Sequence, residues 1–300
     1  MPLKGNEDYR KYLDPAVISK LASLDIKTKF VVEGFMLGLH RSPYHGFSIE
    51  FSQHRPYIQG DSLKDVDWKI YGKTDRYFIK QYEEETNLKA HILLDTSGSM
   101  NYASEGQVSK LEYGKVLASV LAFMLIKQND AAGLYLYSDK IEKVLPPKAT
   151  RTYLDEIMKT IAPVQGKGVS DTAGAVAGIA DKITRRGMIV VISDLLEDAD
   201  KILESIKKLT ITKSKVVVFQ LLDPLERNFG FTKDAIFRDM ETGSEMSTQP
   251  QQIAAAYREA FNEFTGKIKA GCLNAGIDYN MVDTSQPFDV PVSAFLRKRG

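Results

Sequence analysis

From Leu88 onward the chain alternates short apolar runs with segments of helical spacing, and this rhythm restricts the fold more than any other feature. Residues 88–95, 132–137, 188–194, 215–222 and 277–282 read as buried strands. Helical patterns fill the intervals, at about 107–128, 151–162, 172–183, 198–209 and 250–274. Strands that are apolar on both faces must be covered on both faces. The alternation therefore predicts an α/β fold with an open, mostly parallel sheet and helices on either side. Residues 141–145 follow the second strand after only Ser138-Asp139-Lys140, too short a link for a crossover, so they are expected to form one antiparallel edge strand. Extended pieces flank Glu241-Thr242-Gly243-Ser244-Glu245, which predicts a hairpin insertion near 234–248.

The upstream third has a different texture. Asp14-Pro15 is a helix cap followed by a first-turn proline, with Val17, Leu21 and Leu24 at helical spacing behind it. A second helix is expected from Thr28 to about Leu39, where Val31, Val32, Phe35, Met36 and Leu39 make one apolar stripe. From His40 to Glu85 the sequence turns extended and aromatic-rich. The organisation expected is thus an N-terminal helical and extended segment, 1–85, packing on a main domain, 86–300.

Composition removes several function classes. With 40 Lys+Arg against 39 Asp+Glu the formal net charge is +1, so no bulk field draws in nucleic acid, and none is expected as a partner. The one cysteine, Cys272, excludes an intrachain disulfide and a thiolate zinc cluster, and suits a reducing compartment. The longest apolar run, 116–126, lies between Lys115 and Lys127 and falls short of the roughly 20 residues needed to cross a bilayer. Residues 1–10 have no apolar core, so they do not read as a secretory signal. A soluble, cytoplasmic protein without membrane insertion is expected. None of the histidines, His40, His45, His54 and His91, has zinc-ligand spacing, and His91 falls inside a buried strand as a structural residue.

Open parallel sheets keep their ligand sites beyond the carboxyl ends of the strands. There the first buried strand ends in Asp95-Thr96-Ser97-Gly98-Ser99, an acid followed by hydroxyls on alternate positions. Another strand ends in Ser193-Asp194, and between them Gly168-Val169-Ser170-Asp171-Thr172 opens a helix. Carboxylates and hydroxyls without His or Cys suit a hard divalent cation, Mg²⁺ first and Mn²⁺ second. So few carboxylates would leave the ion an open position, which an acidic side chain of a partner could fill.

These residues resemble the metal-ion-dependent adhesion site of von Willebrand factor A domains, and the strand and helix order resembles that fold over about 88–282. The resemblance implies that Ser97 and Ser99 bind the metal directly, with Asp95 and Asp194 acting largely through water. The third hydroxyl is expected from Ser170, with Thr172 as the alternative. Upstream, Gly38-Leu39-His40-Arg41-Ser42-Pro43, then 50–57 with Arg55, then Gly60-Asp61-Ser62-Leu63-Lys64-Asp65-Val66-Asp67-Trp68 resemble the bacterial domain of unknown function 58 family. That family consists of von Willebrand A-like proteins typically encoded beside MoxR-type AAA+ ATPases. The combined resemblance implies a non-enzymatic adaptor or partner of such an ATPase that engages it and client proteins.

Competing readings are plainer. Asp61, Asp65 and Asp67 lack the pattern of a calcium loop, so a structural role with Arg55, Lys64 or Lys69 is expected, with Trp68 as a packing anchor or partner surface. A metal-dependent hydrolase or phosphatase using Asp95 would need a second acid where Ser97 stands. Neither a Gly-x-Ser-x-Gly elbow nor a Gly-x4-Gly-Lys-Ser/Thr loop is present. A structural protein with a vestigial metal site is the remaining alternative.

Overall fold

A computed structural model describes residues 14–41, 54–56, 68–80, 88–231, 235–238 and 244–297. Its centre is a six-stranded sheet of β3 (Lys89–Asp95), β4 (Ala131–Tyr137), β5 (Ile141–Lys148), β6 (Met188–Ser193), β7 (Lys215–Leu222) and β10 (Asp278–Asp283), in the order β10-β7-β6-β3-β4-β5. All neighbours are parallel except β4 and β5, the antiparallel edge pair that the short link demands. Helices cover both faces, so this is the open, mostly parallel α/β sheet with one antiparallel edge strand expected from the sequence.

Alternation within each strand divides the core. In β6, Val190 and Ile192 join Ile92, Leu94, Phe219 and Leu221 on one face, against α4 (Lys110–Lys127), α5 (Arg151–Ile161) and α10 (Asp289–Arg297). Ile189 and Val191 face the other way with Leu93 and Val218, under α6 (Thr172–Ala180), α7 (Ala199–Lys208) and α9 (Pro250–Asn274). Each such side chain, removed from water, stabilises the fold by roughly 1.5–3 kcal/mol before chain entropy is counted. At the edge, a Cβ on Gly133 would lie 2.8 Å from Leu145 O, so only glycine lets β5 close on β4 there. Pro146 and Pro147 in β5 have no N–H to offer a further strand.

The N-terminal helices differ from expectation in their limits. Asp14 caps α1 (Pro15–Ile18), its Oδ1 accepting Ala16 N at 2.8 Å, but the helix stops before Leu21. The next helix, α2 (Leu24–Arg41), starts ahead of the expected Thr28. Thr28 is not its cap: the hydroxyl is buried and donates to Leu24 O at 2.8 Å, while Ser23 Oγ accepts Ile26 N at 3.3 Å. The apolar stripe of Val31, Val32 and Phe35 is buried with α4.

The chain divides into two compact units, Met1–Arg41 with Leu88–Gly300, and Ser42–Asn87. The helices α1 and α2 thus group with the sheet. Within the second unit, β1 (His54–Pro56) pairs antiparallel with β2 (Phe78–Lys80), and α3 (Trp68–Thr74) precedes β2. Trp68 is 58% exposed and meets Tyr71 edge-on at 6.0 Å. Asp61, Asp65 and Asp67 lie outside the described residues, as does the Arg55 side chain. The hairpin β8 (Ala235–Arg238) and β9 (Glu245–Thr248) forms where the turn signal placed it, after the short helix α8 (Pro224–Asn228).

Candidate metal site

Three loops meet beyond the carboxyl ends of β3 and β6. The first leaves β3 at Asp95, whose side chain is completely buried. Its Oδ1 accepts Ser97 N at 2.8 Å, and its Oδ2 accepts Ser193 Oγ at 2.7 Å and the Thr172 hydroxyl at 3.4 Å. Thr96 turns away to donate to Tyr137 O at 2.8 Å, and alternation leaves the Ser97 and Ser99 hydroxyls together, 3.1 Å apart. A single 3₁₀ turn, Gly98–Asn101, then leads toward α4.

The second loop is laced to the first. Gly98 N donates to Gly168 O at 3.1 Å, Lys167 N to Thr96 O at 2.9 Å, and Asn101 Nδ2 to Gly166 O at 2.7 Å. A Cβ on Gly166 would fall 2.6 Å from Ser97 O, so the approach needs a glycine. Asp171 caps α6 by accepting Gly174 N at 2.9 Å, as a helix cap should, and this orients Thr172. Of the two residues considered for the third hydroxyl, Thr172 reaches Asp95, whereas Ser170 stands one step out, 3.4 Å from Thr172 Oγ1. Glu197 accepts from Ser170 Oγ and, at 2.8 Å, from Thr172 N.

The third loop leaves β6 through Ser193 and Asp194. Leu195 sits at φ 53, a left-handed conformation that costs a branched residue about 1–2 kcal/mol. Its complete burial and a 3.0 Å bond from its N–H to Ser193 Oγ hold it there. Asp194 is anchored through its carbonyl, which accepts Gln220 Nε2 at 2.8 Å. Its Oδ2 accepts Lys110 Nζ at 2.8 Å, and the same ammonium donates to Glu226 Oε1 at 2.7 Å.

Charge is concentrated here. Burial first, and the Asp194 carboxylate second, push Asp95 up to about 7, while hydrogen bonds from Ser193 and Ser97 pull the other way. Burial and Asp95 also hold the Tyr137 hydroxyl well above its ordinary range. Burial would lower Lys110, but Asp194 and Glu226 reverse this and hold its ammonium above the usual lysine range. Glu226 lies above the usual carboxylate range through burial, despite Lys110. A divalent cation between Asp95 and Asp194 would relieve their repulsion. The donors are all hard oxygens, which fits Mg²⁺ or Mn²⁺. Among the described residues no group of three or more His, Cys, Asp or Glu could hold a metal, so the hydroxyls would have to complete the shell.

Asp95, Ser97, Ser99 and Asp194 are thus neighbours, and Thr172, the alternative to the expected Ser170, is the hydroxyl of the middle loop that reaches Asp95. Sequence reasoning missed Ser193, Glu197, Glu226 and Lys110. A cation in the first turn of α4, at the end of the helix dipole that disfavours it, was the available signal for Lys110. Elsewhere, Cys272 is buried in α9, and burial raises its thiol to about 11. His91 is buried in β3, where burial first and Lys89 second lower it to about 4. Among the described residues no helix is long and apolar enough to cross a membrane.

A family model described as "Protein of unknown function DUF58" matches residues 53–269. The uncharacterized protein Rv1480 of Mycobacterium tuberculosis is 24% identical over 267 residues, covering 85% of this chain and 82% of that protein. The uncharacterized protein Mb1516 of Mycobacterium bovis matches with the same figures, 24% over 267 residues. Among solved structures, the conserved hypothetical protein BatB from Bacteroides thetaiotaomicron aligns at 19% identity, over 71% of this chain and 98% of its own, with a TM-score of 0.45. The SpRpn10 VWA domain aligns at 15% identity over 68% of this chain and 93% of its own, with a TM-score of 0.41.

Proposed function

The chain belongs to the DUF58 family, and on that premise we propose that it is a metal-dependent protein-interaction module and not an enzyme. Family and fold support an interaction module. The metal dependence rests on one observation, the convergence of the Ser97, Ser99 and Thr172 hydroxyls around the buried Asp95 carboxylate, with Asp194 beside it. In this reading those hydroxyls hold Mg²⁺ or Mn²⁺, and Asp95 and Asp194 orient the shell and supply its charge. The bound ion would supply an open coordination position for a carboxylate of the partner. The partners proposed are a MoxR-type AAA+ ATPase and its client proteins, in the cytoplasm.

The geometry argues against Asp95 as a nucleophile. Both of its oxygens accept hydrogen bonds in a closed pocket, and a carboxyl held at about 7 is largely protonated below neutral pH. Ser97 stands where a second acid would be required.

Thermal unfolding in chelator and in rising Mg²⁺ or Mn²⁺ tests the metal, because an ion that binds only the native state raises its stability by about 2.7 kcal/mol at a hundredfold excess over Kd. The wild type should show a saturating rise, absent from a folded Asp95→Ala variant. Capture of the ATPase with and without chelator then tests the interaction. Equal capture by wild type and by folded Asp95→Ala would count against metal-mediated docking.

A further inference from the structure

Lys110, the first residue of α4, is fully buried and bonds Asp194 at 2.8 Å and Glu226 at 2.7 Å. A buried ammonium loses several kcal/mol of hydration, and here it also faces the positive end of its helix. A methionine would fill the space at neither cost. What the lysine adds is a fixed positive charge against the carboxylate of the third loop.

Glu226 is itself held from the far side. Asp223 N donates to Glu226 Oε2 at 3.0 Å in a capping box, and Asp223 Oδ2 accepts Ser104 N at 2.8 Å and Ser104 Oγ at 2.9 Å. Tyr257 Oη donates to Glu226 O at 2.9 Å. The ammonium is therefore pinned between a carboxylate of the candidate site and one that belongs to α8.

We propose that Lys110 is a positioning residue, the resident counter-cation of the metal site. It holds Asp194 in place without a divalent ion and opposes that ion when it binds, so Glu226, by drawing the ammonium aside, sets metal affinity. The inference rests on the metal reading above. It requires effects of opposite sign at the two ends of the bridge, which a bracing role does not.

The test is direct Mn²⁺ binding, by calorimetry or by loss of the free-ion paramagnetic resonance signal, on the full chain. Lys110→Met removes the opposing charge and should lower the Mn²⁺ Kd roughly tenfold or more, while Glu226→Gln, which leaves the ammonium without its second anion, should raise it by a similar factor. Lys110→Gln, which keeps a hydrogen-bond donor, serves if the methionine variant does not fold. Shifts in the same direction, or none, with wild-type binding intact would overturn the role of Lys110 alone. No Mn²⁺ binding at millimolar concentration in any of these proteins would overturn the metal reading, and this inference with it. Binding by the Lys110 variants but not by wild type would support it.

Discussion

Asp95→Asn in chelator should change the pH dependence of stability by about 4 kcal/mol between pH 4 and pH 7. The native carboxyl is held at about 7 against an ordinary 3.8, by burial first and Asp194 second. Below pH 4 the group is protonated folded or unfolded and favours neither state. As pH rises the unfolded chain ionises while the native protein does not, so stability is lost progressively up to about pH 7. At about 1.36 kcal/mol per pH unit, the rise from 3.8 to about 7 costs ~4 kcal/mol. His91 acts in the opposite sense. Lowered from 6.5 to about 4, it is neutral in the native protein across a range where the unfolded chain takes up a proton, so stability rises by about 3 kcal/mol over that interval. The variant loses the first and keeps the second, so its stability should climb with pH relative to that of wild type across this interval. Urea unfolding at several pH values between 4 and 7 measures both curves. Parallel curves would refute the buried, charge-crowded Asp95 on which the site is built.

Other consequences follow from the loops around it. Gly166→Ala should destabilise the protein by about 1–3 kcal/mol and weaken Mn²⁺ binding, because the added methyl meets the Ser97 carbonyl; denaturant melts and a Mn²⁺ titration check it. Glu197→Ala removes the acceptor of Thr172 N and should cost about 1–3 kcal/mol, read in the same melts. Native Cys272, buried with a thiol raised to about 11, should resist alkylation at pH 8 and react fully once unfolded, which thiol titration shows.

Much of the fold was legible because its signals are local. Apolar runs such as Met188–Ser193 have no polar face to place in water, and Ser138-Asp139-Lys140 is too short to carry β5 over the sheet. Boundaries were less legible. Thr28 was the expected start of the second helix, yet α2 begins at Leu24 and the Thr28 hydroxyl bonds back within it, because a threonine can satisfy itself inside a helix as well as at its end. At the site, Asp95, Ser97, Ser99 and Asp194 stood out as polar residues at strand ends. The choice between Ser170 and Thr172 depended on how Gly166 and Gly168 turn the second loop against the first, which spacing alone does not determine. Lys110, Glu197 and Glu226 come from a helix start, a loop and a capping box, and each has an ordinary local explanation. Only the fold brings Lys110 and Glu226 to Asp194, and Glu197 to Thr172.

The most direct measurement is Mn²⁺ binding to wild type, Ser97→Ala and Thr172→Ala, with folding of each verified by circular dichroism. Wild type should bind about one ion per chain saturably, and loss of either hydroxyl should weaken binding roughly tenfold or more. Saturable binding unchanged in both folded variants would contradict the central claim, since the ion would then lie elsewhere than among these hydroxyls.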